Sequence, residues 1–353
     1  LPLWQGLAGQ ASARHAVEAL LHLPMTREQW QQALTARFGA AATDAVDALT
    51  SRGLFEWRGA GRGRVELVES GAPSAAPRPV SGYGTEEVLD LLRRQGALFA
   101  ADLARRLALS LSDVEHALAL LEDAGLAAND LLSRTGRWSA VQNPLPLGED
   151  RVREAEYLTS YAEALLRRYG IVSREVLRAE RSPIRWAHLE RLLRLWEWRG
   201  RAIRGDFVRE LSGPQFARRE AVDLLREAAP SREPLLVPWD DPANAWGHIL
   251  PLPAPRGKGR FLMLLDGLPL LAISGWGRTL EPGPAWNPEH VAAVATALRG
   301  LAAYAPNGCA ALERWHGGSI LVSPLAAPLR EAGFARAGIR LLYRHPRSLA
   351  QAV

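Results

Sequence analysis

The chain has 353 residues, 48% of them hydrophobic, with 43 Lys plus Arg against 38 Asp plus Glu. That length and apolar content suit two to four domains with ordinary cores. They leave little room for a membrane protein, because no stretch approaches the roughly 18 uncharged apolar residues that a spanning helix needs. One cysteine, Cys309, excludes an internal disulfide, and the eight histidines are scattered without zinc-ligand spacing. No metal, no cofactor and no membrane partner are expected, and a reducing cytoplasm is. Leu1-Pro2-Leu3-Trp4 lacks the regions of a signal peptide, and a start at Leu suggests excision from a longer polypeptide. No Gly-x-x-x-x-Gly-Lys-Ser/Thr occurs, and Gly257-Lys258-Gly259 alone cannot cradle a triphosphate, so the chain is not expected to hydrolyse ATP by itself.

In chain order, the first helix carries His15, Ala16, Ala19 and Leu20, and Thr26-Arg-Glu-Gln29 is a capping box that opens a second. A third runs from Thr43 to Arg52 and stops at Gly53, where positive φ is expected. Leu54 to Trp57 and Arg64 to Val68 alternate as two strands around a Gly-rich turn. Residues 1–72 thus predict a first winged helix-turn-helix module. After the Pro- and Ala-rich linker 71–83, residues 73–148 predict a second. Its helices are capped by Thr85, run from Leu98 to Leu107, and start at Ser112 to stop at Gly125, and Arg137 to Val141 is its closing strand. In residues 149–213, a third module, Ser182 caps a helix over 183–199, with Pro183 at the tolerated first position. Leu189, Leu192, Leu193 and Trp196 share its core face. Arg201 to Val208 reads as its wing hairpin. The helical stops Gly53, Gly125 and Gly200 lie 72 and 75 residues apart, the length of one small domain.

Residues 214–353 change character. A helix over 216–228 leads into β-prone sequence, where Phe261 to Leu265, Asp266-Gly267 and Leu270 to Ile273 form a clear hairpin signal. A helix over 288–303, a strand over 318–323, a helix over 324–332 and a strand over 339–343 follow. The fold class expected is α+β: tandem winged helix-turn-helix domains followed by a β-rich α+β module.

Charge is local. Residues 151–226 hold 17 Arg against 11 Asp plus Glu, while the remainder is balanced at 26 against 27. A basic stretch implies an anionic partner, nucleic acid before membrane, because arginines that neutralise phosphates release counterions. Lys258 is the sole lysine, so genomic composition is a second source of the arginines. In a helix-turn-helix the last helix enters the major groove and the wing meets the backbone. Arg185, Arg191, Arg194, Arg201 and Arg204 in the third module, with Arg134 and Arg137 in the second, are therefore the candidate nucleic-acid contacts. Trp198 would stack on an unpaired base or pack against a neighbouring module.

The densest polar and aromatic cluster is Pro238-Trp-Asp-Asp-Pro-Ala-Asn-Ala-Trp-Gly247. Asp240 and Asp241 beside Asn244 and two tryptophans would make a pocket for a flipped base, with a carboxylate to activate water or stabilise an oxocarbenium ion. The same residues are also ordinary turn formers. Cys309 and His316 form no supported nucleophile set.

Several stretches together resemble the C-terminal region of the bacterial large helicase-related (Lhr) proteins. They are Leu121-Glu-Asp-Ala-Gly-Leu-Ala-Ala-Asn-Asp130 with Gly136-Arg-Trp-Ser139, Leu165 to Glu175, Gly205-Asp-Phe-Val208, Ser212-Gly-Pro-Gln-Phe-Ala217 and Asp241-Pro-Ala-Asn244. Their order and spacing match from about residue 12 to residue 344. The resemblance implies tandem winged helices and a β-rich module downstream of an ATP-dependent superfamily 2 DNA helicase core. It implies DNA repair, DNA and that helicase core as partners, homo-oligomerisation, and distant similarity to winged-helix DNA glycosylases. It also singles out Asp241 and Gln215 by their place in the motifs. The motor itself does not transfer, because its motifs are not in this chain. The function expected is a DNA-binding, oligomerising region without motor activity. The alternatives are a glycosylase removing a damaged or deaminated base, or a structural assembly scaffold.

Overall fold

The computed structural model describes residues 5, 13–39, 42–72, 77–141, 151–180, 184–229, 231, 233–305 and 307–344. The fold is α+β, built from repeated helix–strand units of winged-helix-like order. In the first, α1 (Ala13–Glu18), β1 (Met25–Thr26), α2 (Arg27–Phe38) and α3 (Ala42–Thr50) precede the hairpin β2 (Phe55–Gly61) and β3 (Arg64–Glu69). Thr26 and Gln29 close the capping box on α2 that the sequence implies. The first and third strands pair, and the third pairs with the second. Trp30 and Trp57, edge to face at 4.7 Å, sit at the centre of this unit's core.

The second unit holds α4 (Thr85–Gln95), α5 (Ala100–Leu107), α6 (Leu111–Asp123), β4 (Ala127–Asn129) and β5 (Trp138–Ala140). Its caps differ from expectation. Gly84 in the left-handed region precedes α4, and Thr85 is the first helical residue. Ser110, not Ser112, caps α6 by accepting from the Asp113 amide. Leu98 is not helical: it bridges to Trp138.

The first two units are not beads on a string. β2 pairs antiparallel with β4, Trp57 opposite Asn129 and Arg58 opposite Ala128, so one five-stranded sheet of order β1-β3-β2-β4-β5 runs through both. The close approach explains Gly59, where any β-carbon would overlap the Glu122 carbonyl at the end of α6. Glu122 is 1% exposed, and it accepts from Arg27 Nη2 across the seam at 2.6 Å and from Arg134 Nε of its own unit at 2.8 Å.

The third unit comprises α7 (Arg151–Tyr169), β6 (Ile171–Val172), α8 (Arg174–Ala179), α9 (Trp186–Trp198), β7 (Ile203–Gly205) and β8 (Gln215–Ala217), with sheet order β6-β8-β7. The expected Ser182 and Pro183 start lies outside the described residues, and α9 opens at Trp186 after Arg185. The wing is longer than Arg201–Val208. Its return strand is β8, so the helix expected from Phe216 begins instead as α10 (Arg219–Glu227).

A six-stranded sheet of order β15-β14-β12-β11-β10-β9 follows, from β9 (Leu235–Pro238), β10 (Phe261–Leu265), β11 (Leu268–Ser274), β12 (Thr279–Pro282), β14 (Arg314–Trp315) and β15 (Gly318–Ser319). β10 is buried on both faces. Phe261 and Met263 enter one core while Leu262 and Leu264 enter another with Val237 and Trp239, the two-residue period of a strand. Asp266 and Gly267, both at positive φ, make the tight turn to β11. Within the same region α11 (Val291–Ala297), α12 (Leu301–Tyr304), β13 (Cys309–Leu312), α13 (Ala326–Glu331), β16 (Ala335–Ala337) and β17 (Arg340–Arg344) repeat the helix–strand order, with sheet β13-β17-β16. Sequence periodicity gives the helices and the last strand of this region but not their grouping as a further unit, and the strand expected over 318–323 is only β15 followed by a 3-10 turn at 320–322. No helix among the described residues is long and apolar enough to cross a membrane.

The first and third units meet through charge. His22 Nε2 lies 3.2 Å from Glu69 Oε2 and 3.3 Å from Ser160 Oγ on α7, and Arg167 Nη1 is 3.4 Å from the other Glu69 oxygen. The hydrogen bond from His22 holds the Glu69 carboxyl down, to about 2 from its ordinary 4.5. A depressed carboxylate contributes stability that is present above its unfolded value and is lost as pH falls through its folded one. The melting-temperature gap between wild type and Glu69→Gln is therefore expected to be widest above about pH 4.5 and to close as pH falls towards about 2. Thermal melts followed by circular dichroism across that range measure it.

Candidate functional site

A cleft of about 470 Å³ opens where the first unit, the third unit and the turn after β9 converge. Met25 and Arg64 line it from the first unit, Tyr169 and Arg178 from the third, and Asp240 and His248 from the turn. Two buried ion pairs position these walls. In one, Arg37 at the end of α2 forks onto Asp241, Nη1 to Oδ2 at 2.8 Å and Nη2 to Oδ1 at 3.1 Å, with both side chains 0% exposed. Gln5 Oε1 accepts from the same guanidinium at 2.6 Å. In the other, Arg168 Nη1 lies 2.5 Å from Glu180 Oε2, again with both side chains 0% exposed, while its Nε donates to the Ala19 carbonyl at 3.0 Å. Tyr169 donates to Glu180 Oε1 at 2.6 Å. Desolvation and the Glu180 charge push the Tyr169 phenol well above 10, so it remains a neutral donor.

Three carboxylates line the cleft, Glu180, Asp240 and Asp241, and their surroundings separate them. Asp241 and Glu180 are sealed. Asp240 is 33% exposed, paired with Arg260 at 3.0 Å, and retains a solvent-facing surface. His248, exposed at the same place, has Nε2 2.9 Å from the Trp239 carbonyl. Since a carbonyl only accepts, that nitrogen carries the proton, and Nδ1 of the neutral ring is the acceptor.

The other residues of the cluster are committed to structure. Asn244 donates to the Trp239 carbonyl at 2.8 Å and accepts from the Trp246 amide at 3.0 Å, which holds the turn. Gln215 is fully buried on β8, accepting from the Phe207 and Val208 amides at 3.1 and 2.9 Å and donating to the Val208 carbonyl at 2.8 Å. It braces the long wing and lies apart from Asp240, which lines the cleft.

The candidate nucleic-acid contacts divide similarly. Arg185, Arg191, Arg194 and Trp198 are exposed on or next to α9, as are Arg201 in the bend after it and Arg204 on β7. Arg194 pairs with Glu190 one turn back, Arg204 lies 3.5 Å from Glu197, and Arg201 reaches Glu163 while its guanidinium covers the Trp196 ring at 4.4 Å. Arg185 and Arg191 have no ion-pair partner among the described residues. Arg134 is held by Glu122 and Arg137 by Asp130. No group of three or more His, Cys, Asp or Glu residues suited to a metal ion occurs among the described residues.

Sequence reading missed Arg37, Arg168, Glu180, Arg260 and His248. Arg37 carries no local signal, because its partner is 204 positions away. Arg168 stands within a quoted motif, yet nothing in the string marks it as buried.

These features define an α+β protein of winged-helix-like units with a polar cleft at their junction. Residues 151–235 match the family model for the "Large helicase-related protein, winged-helix domain". That stretch is a winged-helix domain characteristic of Lhr-family helicases. The "Lhr helicase/uracil glycosylase" of Escherichia coli strain K12 is 26% identical over 411 residues, covering 94% of this chain and 26% of that protein. The "Lhr helicase/ probable uracil glycosylase" of Mycolicibacterium smegmatis is 34% identical over 161 residues, covering 41% of this chain and 10% of that protein. The chain thus spans about a quarter or less of these relatives' lengths. Among solved structures, the Streptomyces sahachiroi DNA glycosylase AlkZ shares the fold, with a TM-score of 0.53 and 18% identity over 86% of this chain and 94% of that one.

Removing one partner of a sealed pair leaves an uncompensated charge, which costs about 3–5 kcal/mol, whereas replacing both by apolar groups is far milder. Arg37→Met is expected to lose that amount in urea denaturation, and Arg37→Met with Asp241→Leu to recover most of it.

Proposed function

We propose that this chain is a DNA-binding region of serial winged helices whose junctional cleft removes uracil, or a similarly deaminated base, from DNA. The observation that carries the reading is Asp240, the carboxylate of the cleft that keeps an accessible surface, standing beside Arg260 and near His248. Support also comes from the names of the two relatives, both of which include uracil glycosylase, and from the shared fold of a DNA glycosylase. The glycosylase reading is therefore preferred to a motor-less binding and assembly role. We take the units to divide near residues 72 and 148, with the third carried through β8.

A base inside a stacked helix is out of reach, so the target nucleotide must be unpaired or flipped into the cleft. Water adds to C1′ of the deoxyribose as the bond from C1′ to N1 breaks. The departing base takes the electron pair and is protonated by the proton that the added water gives up, leaving an abasic site. An ionised Asp240 stabilises the positive charge that builds on the sugar ring and orients the water. Arg64 and Arg178 line the same cleft without an ion-pair partner among the described residues, and they supply positive charge for the flanking phosphates.

Two outcomes are expected. Asp240→Asn lowers release of uracil from single-stranded oligonucleotides, read as alkali-labile breaks, by about a hundredfold or more, with the melting temperature unchanged. A variant that cleaves like wild type removes Asp240 from the chemistry, and a wild type with no cleavage on any uracil- or other deaminated-base substrate removes the glycosylase reading. Binding is expected to weaken with salt along a log–log line whose slope tracks the phosphates neutralised. Anisotropy titrations with labelled DNA at several ionic strengths measure it, and a flat response contradicts a backbone-dominated interface.

A further inference from the structure

The third unit leaves one feature that the cleft does not use. Trp198, the last residue of α9, is 93% exposed, and Leu195 one turn before it is 44% exposed. The rest of that helix is well packed: Leu189, Leu193 and Trp196 are buried in the core of the unit. No neighbouring module covers Trp198. The Trp198 ring and the Leu195 side chain beside it leave apolar surface open to a partner at this end of the helix.

The surroundings of the ring decide which partner. Residues 185–204 carry six arginines against two glutamates. Both glutamates are already paired, Glu190 with Arg194 and Glu197 with Arg204. Arg191 on α9 and Arg199 just after its end, about two turns apart, are exposed and have no ion-pair partner among the described residues. This is an aromatic face in a cationic field, which suits a polyanion that itself offers flat aromatic faces. A protein partner would have to meet that field with acidic side chains, whereas a nucleic acid supplies phosphates and base faces together.

Position on the helix narrows the choice further. In helix-turn-helix docking the N-terminal residues of the recognition helix meet base edges in the major groove. Trp198 stands at the opposite end. A paired, stacked duplex presents edges and phosphates but no free base face, so a ring there has nothing to stack on unless a base is unpaired.

We infer that the exposed stripe Arg191, Leu195, Trp198 and Arg199 is a binding site for single-stranded DNA, with Trp198 stacking on one unpaired base and the two arginines on the adjoining phosphates. The site is separate from the cleft and does not rest on the glycosylase reading. It makes the third unit a reader of strand state.

The test is fluorescence anisotropy with labelled oligothymidylate and with a blunt duplex of equal length at one salt concentration. Trp198→Ala is expected to weaken oligothymidylate binding about tenfold to a hundredfold and to change duplex binding less than about twofold. Trp198→Phe is expected to retain most of the affinity. A residue so exposed is not needed for folding, and matched thermal melts of the variants verify that. Equal losses on both ligands, or none on either, overturn the proposal. So does a fall in molar mass of Trp198→Ala by light scattering, which would assign the ring to a contact between copies of the chain.

Discussion

The junction of the molecule rests on one buried ion pair, Arg37 with Asp241. Bringing two charges out of water costs several kcal/mol each, and a fork of two short hydrogen bonds offsets that only in one relative placement of its partners. The Arg37 Nε finds no acceptor, so even this pair is not fully satisfied. Its contribution is therefore less to net stability than to position. It ties the end of α2 to the turn after β9, across 204 residues of sequence. The second sealed pair, Arg168 with Glu180, does the same for the third unit against the first, where Arg168 also donates to the Ala19 carbonyl.

That arrangement explains why two adjacent aspartates have different fates. Asp241 is consumed in holding the cleft together, and its backbone closes the turn: the Asn244 amide donates to its carbonyl at 2.9 Å. Asp240, one residue earlier, is turned to Arg260 at the cleft surface. A cleft built this way has a rigid floor and one accessible carboxylate, which is the condition the proposed chemistry requires for electrostatic stabilisation without reorganisation. Had both carboxylates been sealed, the cleft would offer a ligand only neutral and cationic groups.

Local chemistry made much of this legible in the string. Gly53, Gly125 and Gly200 end helices at positive φ, the Thr26 box caps α2, and Asp266-Gly267 turns β10 into β11, because each depends on a few neighbouring residues. Where neighbours offered equal choices, sequence misled. Ser110 and Ser112 are equivalent N-cap candidates by type, and the packing of Val114, Ala117 and Leu118 against α4 settles the start on Ser110. What depends on distant pairing was not legible at all. The β2–β4 seam that fuses two units, the Arg37–Asp241 tie, and the helix–strand unit after residue 288 have partners that no local window contains. Gln215 stands out within a motif, but its bonds to the Phe207 and Val208 backbone come from the long wing and not from any helix or strand pattern.

The arginines themselves are the last instance of the same division. Counting them suggests a broad cationic surface over residues 151–226, yet the structure spends many of them internally. Arg168 is sealed, Arg201 is laid over Trp196 and tied to Glu163, and Arg194, Arg204 and Arg226 each sit by a carboxylate within 4 Å. A guanidinium paired with a carboxylate releases no net counterion when a phosphate displaces that partner, since one negative charge only replaces another. Any salt dependence of the proposed DNA binding would thus be bounded by the uncommitted groups, such as Arg178, Arg185, Arg191 and Arg199, and not by the 17 arginines of the stretch. Composition reports how much charge a chain carries. Burial and pairing determine how much of it a polyanion can use.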